Sequence, residues 1–127
     1  MLSLSSLIQV ALGGAVGSVM RYLVGIASGR LFGMAFPYGT MIVNVVGSFL
    51  IGMLVIVFAE IGGGRFAPLL MTGFLGGFTT FSSFSLDAIS LWEKGQTGAA
   101  LGYVMASLIL SLAAIILAMR LLRGALT

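Results

Sequence analysis

Gly73-Phe74-Leu75-Gly76-Gly77-Phe78-Thr79-Thr80-Phe81-Ser82-Ser83-Phe84-Ser85 is the stretch on which the reading of this chain turns. It sits inside an uncharged run from Phe66 to Leu86, bounded by Arg65 and Asp87. That run is long enough to cross a bilayer, which takes roughly 20 apolar residues. An ordinary membrane helix does not look like this. A glycine pair is followed by a run of hydroxyls, with aromatics at Phe78, Phe81 and Phe84. Glycine permits backbone conformations closed to other residues, and Ser and Thr side chains compete for backbone hydrogen bonds. The pattern predicts a helix broken near Gly76–Thr80. Non-helical backbone at membrane depth persists only where protein buries it or water reaches it. Channels and transporters build ion sites from such breaks. Close helix packing is the simpler explanation of Gly73 alone; the whole run points to an ion site.

The rest of the chain agrees with a membrane setting. Of 127 residues, 60% are hydrophobic and 7% charged, and mean hydropathy is +1.23. So few charges could not cover the core of a soluble domain. At roughly 20 residues per span, four spans use most of the chain. Six basic residues against three acidic ones raise the pI to about 10.0. They form no run, which suits the ends of membrane helices better than a nucleic-acid surface. Cysteine and histidine are absent and only three carboxylates are present. Disulfides and thiolate chemistry are thereby excluded, and acid–base or metal-hydrolase catalysis is hard to assemble.

Four spans are expected at about 4–29, 39–59, 66–91 and 98–119, in a single four-helix transmembrane domain over residues 1–127. No basic residue precedes the first apolar run, so it does not resemble a signal peptide. In the first span Gly13, Gly17, Gly25 and Gly29 fall on one row with Arg21, a close-packing face with a charge embedded in it. An arginine at a helix end commonly snorkels to the interface, but eight uncharged residues follow Arg21 before Arg30. Arg21 is therefore also a candidate for a wet vestibule. In the second span Thr40, Asn44, Ser48 and Gly52 share one side at fourfold spacing. A membrane serine can satisfy itself on its own backbone; the Asn44 amide needs a neighbouring helix, water or an ion. Tyr103, Ser107 and Ser111 form a like stripe in the fourth span.

Hydroxyls and the Asn amide donate hydrogen bonds, so Thr40, Asn44, Ser82, Ser83, Tyr103, Ser107 and Ser111 could replace water around an anion. The edge of a phenylalanine ring is positive, which lets Phe81 and Phe84 tolerate one too. Cation channels use acidic rings, and none is available here. These groups suit a small anion, although the same hydroxyls could line a path for water or a small solute. Carbonyls freed at Gly76–Thr79 are acceptors and would favour a cation beside that path.

Three motifs carry a resemblance along the whole chain. Gly13-Gly14-x-x-Gly17-x-x-x-Arg21-Tyr22, Gly39-Thr40-x-x-x-Asn44-x-x-Gly47-Ser48-Phe49-x-x-Gly52 and Gly76-Gly77-Phe78-Thr79-Thr80-Phe81-Ser82-Ser83-Phe84-Ser85 resemble, in order, the first three helices of the Fluc/CrcB family of small bacterial fluoride channels. The resemblance implies an all-α protein of the bacterial inner (cytoplasmic) membrane, with four helices per subunit and the third broken. It implies an antiparallel, dual-topology homodimer with two fluoride pores, and passive export rather than enzymatic activity. Phe81 and Phe84 would flank each pore. Asn44, Ser107, Ser111 and Tyr103 would line a polar track, with Thr40, Ser82 and Ser83 beside it and Arg21 at the vestibule. The backbone carbonyls of Gly76 and Thr79, from both subunits, would hold one structural sodium ion (Na+). The family often carries glutamate where this chain has Asp87, so the reach of that carboxylate is in question.

Charge placement points the same way as the resemblance on topology. Four spans put both termini and Arg65, Arg120 and Arg123 on one side, against Arg30 and Lys94, with or without Arg21, on the other. Orientation follows a Lys/Arg excess, and this chain has almost none. An alternative is a small proton-coupled multidrug exporter of the four-helix type. That chemistry wants a carboxylate deep in the first span, where this chain has an arginine. A non-transporting assembly factor would explain the glycines but not the stripes of donors.

Overall fold

A computed structural model describes residues 2–127 as an all-helical bundle. Four of its helical segments are long and apolar enough to cross a membrane: Leu4–Phe32, Tyr38–Glu60, Gly64–Glu93 and Thr97–Leu126. We label as α1 Leu4–Phe32, α2 Tyr38–Glu60, α3 Gly76–Phe78, α4 Phe81–Glu93 and α5 Thr97–Leu126. The third span is composite. A 3₁₀ turn, Gly64–Phe66, leads into a π-helical segment, Pro68–Leu75, then α3, an extended interruption and α4.

The helices begin and end where local chemistry allows. Ser3 caps α1 by accepting a hydrogen bond from the Ser6 amide at 3.1 Å. The α1–α2 connection closes at Pro37, whose φ of −81° and ψ of 65° let the Tyr38 amide donate to the Phe36 carbonyl at 2.9 Å. That is an inverse γ-turn, and proline presets its φ. Between α2 and the third span Gly62 and Gly63 take φ of 115° and 91°, which side chains rarely tolerate. The first helix runs three residues beyond the expected span, and α5 runs on to Leu126 with Arg120 and Arg123 still helical. Hydropathy ends a span at its charges, whereas the backbone ladder carries on regardless. At 1.5 Å per residue, α5 is about 45 Å long, so its charged end clears a hydrocarbon core of about 30 Å.

The principal packings are α2 on α5 and α1 on the π-helical segment. Both depend on missing side chains. A Cβ on Gly13 would collide with the Leu69 carbonyl, and one on Gly17 with the Phe74 carbonyl. On Gly52 it would lie 2.8 Å from the Ile115 carbonyl. The row of glycines on α1 is thus divided: Gly13 and Gly17 press on the third span, while a Cβ on Gly25 would meet nothing within 4 Å among the described residues. Val43, Leu75 and Phe78 form one buried cluster, and Leu91, Ala100 and Tyr103 another. Large apolar side chains such as Leu4, Val19, Leu112 and Ile116 stay exposed around the bundle, as lipid-facing surface requires.

Candidate functional site

The break lies at Thr79 and Thr80. Their ψ angles of 160° and 124° are extended, while Gly76 keeps helical φ of −61° and ψ of −36°. Glycine therefore does not make the bend through special backbone angles. Gly77 matters for another reason: a Cβ there would sit 2.7 Å from the Gly14 carbonyl and 2.9 Å from the Ser18 hydroxyl. A Cβ on Gly76 would meet only the Met71 carbonyl, at 3.9 Å.

Polar side chains hold the interruption open. The Thr80 amide donates to Asn44 Oδ1 at 2.8 Å, and Asn44 Nδ2 donates to the Thr80 carbonyl at 3.0 Å. Both ends of the Asn44 amide are thus spent on one residue of the break. Thr80 Oγ1 accepts from the Ser83 amide at 3.1 Å and caps α4. Arg21 Nε donates to the Gly77 carbonyl at 3.0 Å. In an unbroken helix the Thr80 and Ser83 amides would serve the carbonyls of Gly76 and Thr79. Their diversion to Asn44 and to the Thr80 hydroxyl takes those donors away from the two carbonyls expected to face a cation.

Two cavities flank the break. A cleft of about 370 Å³ is lined by Asn44, Thr79, Thr80, Phe81, Phe84, Ser107 and Ser111, among others. The hydroxyl of Ser107, 4% exposed, has no hydrogen-bond partner among the described residues. It has not folded back onto its own helix as membrane serines often do, and it stands as an unused donor. A second cavity, about 820 Å³, is lined by Ser18, Arg21, Tyr22, Arg30, Thr40, Thr80 and Ser83 with apolar neighbours, and by no carboxylate among the described residues. Thr80 borders both.

The expected site residues thus divide. Asn44, Thr79, Phe81, Phe84, Ser107 and Ser111 meet in the smaller cleft, and Arg21, Thr40 and Ser83 in the larger cavity. Ser82 is exposed and lines neither. Tyr103 is 0% exposed and lies behind Phe84, ring centroids 5.3 Å apart. Its hydroxyl donates to Asp87 Oδ2 at 3.2 Å, so the shorter carboxylate does reach a partner. The Phe81 ring is 78% exposed and 5.7 Å from that of Phe84. Thr80 was not among the expected site residues. A threonine immediately ahead of the run that begins at Phe81 is an N-cap signal, which would have found it.

A family model described as "CrcB-like protein, Camphor Resistance (CrcB)" matches residues 8–119. The chain is 63% identical over 121 residues to the "Fluoride-specific ion channel FluC" of Cereibacter sphaeroides, covering 95% of this chain and 97% of that one. It is 53% identical over 117 residues to the protein of the same name from Paracoccus denitrificans, covering 92% and 94%. To that of Agrobacterium fabrum it is 57% identical over 108 residues, covering 84% and 86%.

Proposed function

This chain belongs to the CrcB family, and from that premise we propose that it is a passive fluoride channel of the bacterial inner membrane. The observation that carries the reading is the buried, unpartnered Ser107 hydroxyl in a cleft shared with Phe81, Phe84 and Ser111. A donor with no protein partner is free to hydrogen-bond whatever occupies the cleft, and a small anion there would accept from it. Phe81 and Phe84 border the same cleft, and a ring edge turned toward it would favour negative charge. Arg21, inside the larger cavity, raises the local anion concentration at the approach. Tyr103 stands at the head of the serine stripe with its proton directed to Asp87. Thr40 and Ser83 offer hydroxyls on the Arg21 side, with Ser82 at the rim. No proton or second substrate is needed. Hydrogen fluoride enters uncharged and dissociates at neutral pH, and an inside-negative potential expels the anion with about 2.3 kcal/mol per 100 mV.

The working unit in this proposal is an antiparallel homodimer with two pores. Exposed Phe81 and the open face of Gly76 suit contact with a second copy. The nearly even Lys/Arg distribution suits insertion in both orientations. The carbonyls of Gly76 and Thr79, deprived of their helical donors, fit a hard monovalent cation. Two copies would supply enough oxygens to hold a sodium ion, whose charge would tie the breaks together. The proton-coupled exporter has less support, since α1 offers Arg21 and no carboxylate. In folded, dimeric protein, Phe84→Ile keeps bulk but removes the ring quadrupole, and fluoride efflux from liposomes should fall at least tenfold. Efflux equal to wild type would remove the ring edge from the pathway.

A further inference from the structure

The structure carries an unbroken series of aromatic contacts from the end of α1 to the break. Ring centroids are 5.2 Å apart for Phe32–Tyr38, 4.8 Å for Tyr38–Phe36 and 5.5 Å for Phe36–Tyr103. The series continues at 5.3 Å for Tyr103–Phe84 and 5.7 Å for Phe84–Phe81. Most of these pairs are tilted, but Phe36 meets Tyr103 at 87°, in the edge arrangement that aromatic quadrupoles favour. Phe36 belongs to no helix. It is aimed by the turn at Pro37, where its carbonyl accepts from the Tyr38 amide at 2.9 Å. Tyr103 in turn touches α4 twice, ring against Phe84 and hydroxyl against Asp87. Those residues are three apart and share one face of the helix. The α4 helix packs on α5 and only slightly on α2, so this cluster is a main constraint on where Phe84 stands.

The geometry points to Phe36 as a positioning residue for the anion path: its ring fixes the plane of Tyr103, and Tyr103 fixes Phe84 at the cleft. This rests on the fluoride-path reading above. The sequence offers Phe36 only as part of a short loop ending at Pro37. Without the Phe36 ring, Tyr103 gains room to tilt, and both the Phe84 ring and the hydroxyl held by Asp87 shift together. The Phe36→Tyr substitution keeps a ring edge and should stay close to wild type.

The test uses the full chain in three pairs: wild type with Phe36→Leu, wild type with Phe36→Met, and Tyr103→Leu with Tyr103→Leu/Phe36→Leu. Fluoride efflux should fall about three- to tenfold in Phe36→Leu and in Phe36→Met, the range set by the loss of the Phe36–Tyr103 pair, the one of its two aromatic pairs that leads to Phe84. In the Tyr103→Leu background the second substitution should change nothing, because the relay is already cut. Near-ultraviolet circular dichroism provides a readout independent of flux: the part of the tyrosine band that Tyr103→Leu removes should already be lost in Phe36→Leu. An intact tyrosine band in Phe36→Leu would overturn the relay, as would efflux within twofold of wild type in Phe36→Met, or an equal fold loss in both backgrounds. Should wild type release no fluoride, the channel reading fails, and the dichroism still decides whether Phe36 sets Tyr103.

Discussion

Removing the Asn44 side chain tests how the break is built. Asn44→Ala deletes the bonds of 2.8 and 3.0 Å to the Thr80 amide and carbonyl. A typical intramolecular hydrogen bond contributes about 0.5–1.5 kcal/mol net, so the pair should be worth roughly 1–3 kcal/mol. Thr80 borders both cavities, so water can reach the freed groups and the lower half of that range is expected. The liberated Thr80 amide can also turn back to the Gly76 carbonyl, mending the helix and masking that oxygen. Denaturant unfolding in micelles, followed by circular dichroism, measures the loss, and fluoride efflux should fall with it. Asn44→Asp separates the two bonds: its carboxylate still accepts from the Thr80 amide but sets an oxygen against the Thr80 carbonyl. Its stability should be no higher than that of Asn44→Ala, because two oxygens are opposed and a charge is introduced, and its efflux should be lowest, since a negative charge borders the cleft. An Asn44→Ala protein within about 0.5 kcal/mol of wild type, the range of an inert surface change, with normal efflux, would refute the clamp.

Gly17→Ala should destabilise the fold by about 1–3 kcal/mol, as overpacking does, because the new Cβ meets the Phe74 carbonyl and lies 3.0 Å from the Phe78 amide; Gly25→Ala, in open space, should be silent in the same unfolding assay. Gly77→Ala should disturb the subunit through the Gly14 carbonyl, whereas Gly76→Ala should leave the subunit folded and weaken only the dimer, as cross-linking or size analysis in detergent would report. Reporter fusions at Thr127 should divide comparably between cytoplasm and exterior, and two lysines added beside the terminus should drive that end inward.

Much of the architecture was legible because it rests on simple physics. Four long apolar segments follow from hydropathy, and the close crossings at Gly13 and Gly17 from small-residue spacing; the crossing at Gly52 emerged only with the packing of α2 on α5. The bend was legible as a bend, but its cause was not. Glycine at 76 and 77 suggested special backbone angles, whereas the extended residues are Thr79 and Thr80, held by a side chain from 36 positions earlier. Spacing on one helix shows that Asn44 needs a partner but cannot say which backbone will supply it. The π-helical segment Pro68–Leu75 left no mark that periodicity could detect, since α- and π-helical turns bury nearly the same apolar pattern over eight residues. The stripe of Thr40 and Asn44 divided between two cavities for a similar reason: the break passes between them. Phe36 and Asp87 became meaningful only once α4 and the α1–α2 turn were seen to converge on Tyr103.

The most direct measurement is fluoride release from liposomes holding the purified protein, read with a fluoride electrode while valinomycin carries potassium as the counter-ion. A fluoride channel should empty its vesicles rapidly with no pH gradient, keep its rate when a protonophore is added, and retain chloride in a parallel experiment. Release that requires a proton gradient, equal passage of chloride, or vesicles that keep their fluoride would contradict it.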